Sequence, residues 1–294
     1  MVNKKTTVSL VLGSGGARGL AHIGVINWLV ENNYQIKSIS GSSIGALIGG
    51  IYASGNLDKY EKWVCAINRM DIISLLDIAW KSNGFVRGDK IINTLVELLG
   101  DQLIEDLPLS FTAVASDIKN EKEVWINSGS LFDAIRASIS MPLFFTPVIR
   151  NGVTLIDGSV LNPMPIAPTF SDQTDMIIAV NLGGRIQKEI SVQKSPKKDP
   201  PEAGDISIHN KILAFIDSFR NSHPIPSTDL GAFEIVNQAL DAMQSTIARQ
   251  KLASYPADYT IEIARNACGV LEFDRAQEMI DLGYQQAAFY LPSK

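Results

Sequence analysis

The sequence predicts an α/β fold, with three layers in which helices cover both faces of a mainly parallel central sheet. Two observations predict it. The opening of the chain alternates short strand-like runs with segments of helical periodicity, and each early run ends in glycine just before a helix, the order of a parallel strand–helix–strand unit. Further on, Asp175 to Leu182 carries Met-Ile-Ile-Ala-Val-Asn-Leu after its Asp, a nearly unbroken apolar run of the kind buried on both faces of a parallel sheet.

The elements follow in order. Thr7 to Leu12 is β-branched and bounded by glycine, a buried strand. Leu20, Ile23, Val25, Ile26, Leu29 and Val30 form the apolar stripe of a helix reaching about Asn32. A strand around Ile36 to Ser40 ends in Gly41, and a small-residue helix runs from Ala46 to Ser54. Asp58 to Leu99 reads as mostly helical, broken at Asn83-Gly84. Phe111 to Ser116 and Glu123 to Ile126 read as a hairpin around the turn-rich Asp117 to Lys122. Ser130 to Ile139 has helical spacing and stops before Pro142. Val153 to Ile156 is a brief strand ending at Asp157-Gly158. A long helix (Ala232 to Leu252), a strand (Asp258 to Ile263) and a closing helix (Asp274 to Tyr290) complete the chain.

Between Gly183 and about Ser227 the character changes. Lysines mix with Pro196, Pro200 and Pro201, the composition of an irregular, lid-like surface excursion. Within it Ile208, Ile212, Phe215, Ile216 and Phe219 share one helical face, which reads first as a helix packed on the sheet and alternatively as a lid or an interfacial face. No repeat or boundary interrupts residues 1–294, so a single domain is expected.

Composition narrows the functional classes. Of 294 residues, 46% are apolar and 19% charged, enough for a large core. A net charge of −5 argues against a nucleic-acid partner, because neutralising phosphates needs a basic face. Cys65 and Cys268 are too few for a disulfide framework, lack metal-site spacing, and read as buried reduced thiols. No run reaches the roughly 18 apolar residues of a membrane span, and Val8 to Leu12 is too short for a signal segment. A cytoplasmic protein is the default.

Three motifs carry chemistry. Gly13-Ser14-Gly15-Gly16-Ala17-Arg18-Gly19 lies between the first strand and the first helix, where outward-turned N–H groups bind a phosphate or a developing oxyanion. Counted from Gly13, Arg18 takes the last glycine position of the dinucleotide fingerprint, and no P-loop Lys-Ser/Thr pair follows, so neither nucleotide motif is met. Gly41-Ser42-Ser43-Ile44-Gly45 has the Gly-x-Ser-x-Gly form of a nucleophile elbow, placed as the motif requires between a strand and a helix. Ser43 is therefore the candidate nucleophile.

Its base is either a histidine or a carboxylate. His22 lies inside the first helix and reads as a packed residue; His209 and His223 fall in the excursion. Asp157 followed by His223 formally satisfies the Ser-Asp-His order of an α/β-hydrolase, yet that fold reaches its elbow only after several strands, whereas Ser43 follows the second. The other candidate is Asp157 alone, in Ile156-Asp157-Gly158-Ser159.

Together these segments resemble the patatin-like phospholipase family. The glycine turn is similar to its oxyanion loop, Gly41 to Gly45 to its elbow, and Asp157-Gly158 to its catalytic Asp-Gly. Arg136-Ala137-Ser138 through Met141-Pro142 resembles the stretch before that Asp, and Phe273-Asp274-Arg275-Ala276 with Leu282-Gly283-Tyr284 resembles the C-terminal part of bacterial members. The resemblance implies a patatin-like fold and a Ser43–Asp157 dyad without histidine. It further implies an oxyanion hole of Gly15 and Gly16 with Arg18, which either fixes the loop or adds positive potential, a lipid acyl-ester substrate, and no metal or other cofactor. Peripheral membrane contact is consistent with such a substrate. Ser159 departs from the usual Gly or Ala after Asp-Gly, and Leu143 from a frequent Gly after Pro142. An acyltransferase using the same acyl-enzyme, and a non-catalytic regulator on the same fold, are the alternatives.

Should the Ile208–Phe219 stripe be an interfacial face, replacing Phe215 and Phe219 by Ser will abolish cosedimentation with liposomes while leaving folding unchanged; equal sedimentation leaves the packed-helix reading.

Overall fold

A computed structural model describes residues 5–75, 87–142, 144–187 and 232–292. His209, His223, Leu143 and the Ile208–Phe219 stripe lie outside the described residues. Residues 1–188 and 244–294 form the compact unit that carries the sheet; of the second unit, 189–243, the described part is the beginning of one helix.

The strands are β1 (Thr6–Leu12), β2 (Tyr34–Ser42), β3 (Ser110–Asp117), β4 (Lys122–Ile126), β5 (Val148–Arg150), β6 (Val153–Asp157), β7 (Met176–Gly184) and β8 (Tyr259–Ala264). They make one mixed sheet in which successive hydrogen-bonded neighbours are β5-β6-β3-β2-β1-β7-β8; β4 pairs one edge of β3, and β2 and β6 share the other. The centre is parallel (β3–β2–β1–β7–β8), and the β3–β4, β3–β6 and β5–β6 pairs are antiparallel. The expected mainly parallel α/β sheet is thus found, along with a short β5 that its three residues left without a readable pattern.

The helices are α1 (Ala21–Glu31), α2 (Ile44–Ala53), α3 (Leu57–Ala66), α4 (Arg69–Leu75), α5 (Asp89–Leu99), α6 (Leu131–Ser138), α7 (Ala232–Ser254) and α8 (Ala276–Tyr290). Successive side chains of β1 point to opposite faces. Leu12 and, on β2, Ile39 pack under Gly49 of α2, while Val11 joins Ala179, Met164 and Ala248 of α7 on the other face. Helices therefore cover both sides, which is why β1 is apolar without alternation. Cys268 is buried as expected, but Cys65 is exposed. It lies on α3 next to Ala66, beyond the buried stripe of Leu57, Tyr60 and Val64. Among the described residues, no helix is long and apolar enough to cross a membrane.

α1 and α8 pack at unusually close range. A Cβ on Gly24 would stand 1.9 Å from Ile280 O, and one on Gly283 would stand 1.9 Å from Ala21 O. Each helix thus presents a glycine to the other's backbone. Gly24→Ala and Gly283→Ala are each expected to force the pair apart at a cost of about 1–3 kcal/mol, read as a lower denaturation midpoint in urea. An unchanged midpoint would contradict the close packing.

Candidate active site

The turns after β1 and β2 lie side by side, because the two strands pair in parallel with Leu12 opposite Gly41. Strand order also reverses at β1, with β2 and β3 on one side and β7 and β8 on the other. Open α/β sheets hold ligands in such a crevice, beyond the carboxyl ends of the strands.

Ser43 occupies the turn between β2 and α2 with φ 56° and ψ −125°. For a residue with a Cβ this backbone costs roughly 1–3 kcal/mol, so the surroundings must enforce it. Its N–H donates to Ser138 Oγ at 3.0 Å, and that hydroxyl donates to Val114 O at 2.6 Å, strapping the turn to β3. Its carbonyl accepts from the N–H groups of Ala46 and Leu47 at 2.9 and 3.1 Å. The flanking glycines make room: a Cβ on Gly45 would stand 2.1 Å from Leu12 O, and one on Gly41 would stand 2.4 Å from Gly45 O.

Asp157 arrives at the same point from the opposite direction. β2 pairs in parallel with β3 as far as Ser42 opposite Val114, and β6 pairs antiparallel with β3 as far as Asp157 opposite Ala115. β4 takes the other edge of β3, so β2 and β6 share one edge and run head-on towards each other. Their terminal residues meet. Ser43 Oγ donates to Asp157 Oδ2 at 2.6 Å.

The carboxyl is fully buried. Its Oδ1 accepts from Ser159 N–H at 2.8 Å, and the Asp157 N–H donates to Ser140 O at 2.9 Å. Burial pushes the carboxyl up to about 6, against the downward pull of hydrogen bonds from Ser43 and Ser159. Gly158 is required here, since a Cβ would come within 2.0 Å of Val114 O.

The glycine turn is braced from several sides. Gly13 and Ser14 donate their N–H groups to Val180 O and Pro163 O at 3.1 and 3.0 Å, and Ala17 N–H donates to Val270 O at 2.8 Å. Gly15 and Gly16 open a 3₁₀ turn (Gly16–Leu20), whose first N–H groups have no acceptor within the turn. The Arg18 guanidinium is buried and points inward: Nε donates to Gly15 O at 3.2 Å and Nη1 to Arg265 O at 2.5 Å. Its observed role is to tie the turn down. His22 is a packed residue, its Nε2 at 2.9 Å from Gly13 O. A carbonyl only accepts, so Nε2 carries the proton; burial holds the ring at about 4, neutral.

Sequence reasoning missed two contributors. Ser138, which holds the Ser43 N–H, and Gln244, whose Nε2 donates to Ser159 Oγ at 3.0 Å, carry no local signal of these contacts in the sequence. Among the described residues, no group of three or more His, Cys, Asp or Glu is placed to hold a metal ion.

Residues 10–170 match the family described as patatin-like phospholipase. An uncharacterized NTE family protein of Mycobacterium tuberculosis is 37% identical, over 94% of this chain and 89% of its own length. Lysophospholipase NTE1 of Pyricularia oryzae is 27% identical over 97% of this chain, which spans 18% of that longer protein. The corresponding protein of Saccharomyces cerevisiae is 25% identical over 97% of this chain and 16% of its own. The chain belongs to the patatin-like phospholipase family.

Because the folded carboxyl of Asp157 titrates near 6, above the usual 3.8, its contribution to stability is full at low pH and is lost as pH rises through that interval. Above it the buried charge costs on the order of 3 kcal/mol. Asn can keep the Ser159 N–H bond without that charge. Asp157→Asn is therefore expected to melt no lower than the native protein at pH 8, with the difference shrinking towards pH 4; a clear loss at pH 8 would sink this reading.

Proposed function

We propose that this chain is a serine acyl-ester hydrolase acting on lipid esters, of the phospholipase A or lysophospholipase type. Ser43 is the nucleophile and Asp157 its base. The observation that carries the reading is the 2.6 Å hydrogen bond from Ser43 Oγ to a buried carboxylate, on a strained strand–helix turn. Membership in the patatin-like phospholipase family and the lysophospholipase names of the fungal relatives support the lipid class.

Asp157 takes the proton of Ser43 as Oγ bonds to the ester carbonyl carbon. The N–H groups of Gly15 and Gly16 stabilise the oxyanion, and Arg18 keeps their turn in shape. Losing one such donor typically costs on the order of 10²–10³ in rate. The intermediate collapses when the proton on Asp157 passes to the departing alcohol, leaving an acyl ester on Ser43. Water then attacks that ester, its proton goes to Asp157, and a second collapse releases the fatty acid and returns the proton to Ser43. A carboxylate is a weak base towards a hydroxyl, and burial that raises its proton affinity strengthens it.

Ser43→Ala and Asp157→Asn are each expected to reduce hydrolysis of p-nitrophenyl and lysophospholipid esters by at least about 10³-fold. A fluorophosphonate should label Ser43 in the native protein alone. The base works ionised, so kcat/KM should fall about tenfold per unit below pH 6. Native rates in folded Ser43→Ala would remove the assignment. Product analysis with alcohol or lysolipid acceptors separates hydrolase from acyltransferase.

A further inference from the structure

Besides their pairing with β3, Ser43 and Asp157 are both held by one short stretch of chain. Ser138, the last residue of α6, takes the Ser43 N–H on its hydroxyl at 3.0 Å. Ser140, two residues on, takes the Asp157 N–H on its carbonyl at 2.9 Å. The position of this turn therefore bears on the distance between nucleophile and base. A chain leaving a helix is weakly specified, because the last carbonyls have no intrahelical donors. Here Arg136 specifies it. Its Nη1 donates to Ser140 Oγ at 2.7 Å, and that hydroxyl gives its own proton to Arg136 O at 2.8 Å. Side chain and backbone of one residue thus grip the same hydroxyl.

The rest of the guanidinium is anchored outside α6. Nε donates to Asp89 Oδ1 at 3.2 Å, at the start of α5. Nη2 donates to Arg87 O, and to Thr146 O and Oγ1 at 3.2 and 3.0 Å. The Phe145 ring lies against it, its centroid 5.9 Å from Cζ. Gly88 has φ 76°, and a Cβ there would stand 2.8 Å from Phe145 and 3.1 Å from Arg136, so backbone closes directly over the cation. Burying a guanidinium is costly unless its donors are met, and Asp89, its carboxylate partner, is itself exposed and repays little. What the arrangement supplies is geometry: a planar fork can meet several segments at once, which an ammonium cannot. We propose that Arg136 is a positioning residue that sets the separation of Ser43 and Asp157. It acts through Ser138 and Ser140, by fixing the turn at 138–140 against the start of α5 and against residues 145–146. The proposal rests on the reading of Ser43 as nucleophile and Asp157 as base.

The test compares native protein, Arg136→Lys, Ser140→Ala and the double variant at a temperature well below each melting point, with Ser43→Ala as the blank. The readouts are the rate of Ser43 labelling by a fluorophosphonate, and kcat and KM for a p-nitrophenyl ester. Arg136→Lys keeps the charge and loses the fork. It should label about 10- to 100-fold more slowly and lose kcat to a similar extent with KM near native, because misplacing reacting groups by on the order of 1 Å has that effect. Ser140→Ala should fall in the same direction by less, and the double variant no lower than Arg136→Lys, since both act through one turn. Labelling at the native rate in folded Arg136→Lys, whatever its melting point, overturns the proposal and leaves Arg136 a purely structural residue. So do losses that multiply in the double variant, or a raised KM with native kcat. Should Arg136→Lys fail to fold, native labelling in Ser140→Ala overturns it instead. Native protein that does not label removes Ser43 as nucleophile, and the proposal with it.

Discussion

The site depends on two strands ending against the same edge of a third. β2 and β6 run in opposite directions along β3 and stop at adjacent positions, Val114 and Ala115. Residues separated by 114 positions are thereby brought to a hydrogen bond of 2.6 Å. The joint leaves little tolerance. Gly158 must pass over Val114 O where no side chain fits, and Ser138 must hold both that carbonyl and the N–H of Ser43.

Strain and desolvation converge there. The backbone of Ser43 lies in a region few residues with side chains occupy, and the Asp157 carboxyl is buried without a cation among the influences on its titration. Each is unfavourable alone, and each is stabilised by the other's geometry. The turn that strains Ser43 directs its hydroxyl to the carboxylate, and that hydroxyl is one of the donors that replace water around it. Concentrated local cost of this kind is characteristic of functional sites.

The glycine turn after β1 is likewise fixed by bonds to distant groups. Its carbonyls are drawn into the protein, Gly13 O by His22 and Gly15 O by Arg18. Buried Arg18 is thus spent on loop geometry, which the sequence motif alone did not distinguish from a direct electrostatic role.

Much of this was legible in the sequence. Local chemistry determined the order of strands and helices, the elbow around Ser43, the glycine turn and the Asp-Gly pair, because turn sterics and hydrophobic period act over a few residues. Ser130 to Ile139 could be read as a helix for the same reason, and Ser130 caps it by accepting from Asp133 N–H. The three-residue β5 lacked enough period to register, and Cys65 showed that a residue type's usual burial does not say which face of a helix it takes. Tertiary structure alone decided that β6 turns back along β3, that Ser138 straps the elbow, and that Gln244 reaches Ser159 from a helix 85 positions away. These are pairings between distant segments, and no local pattern encodes them because their free energy comes only from the assembled sheet.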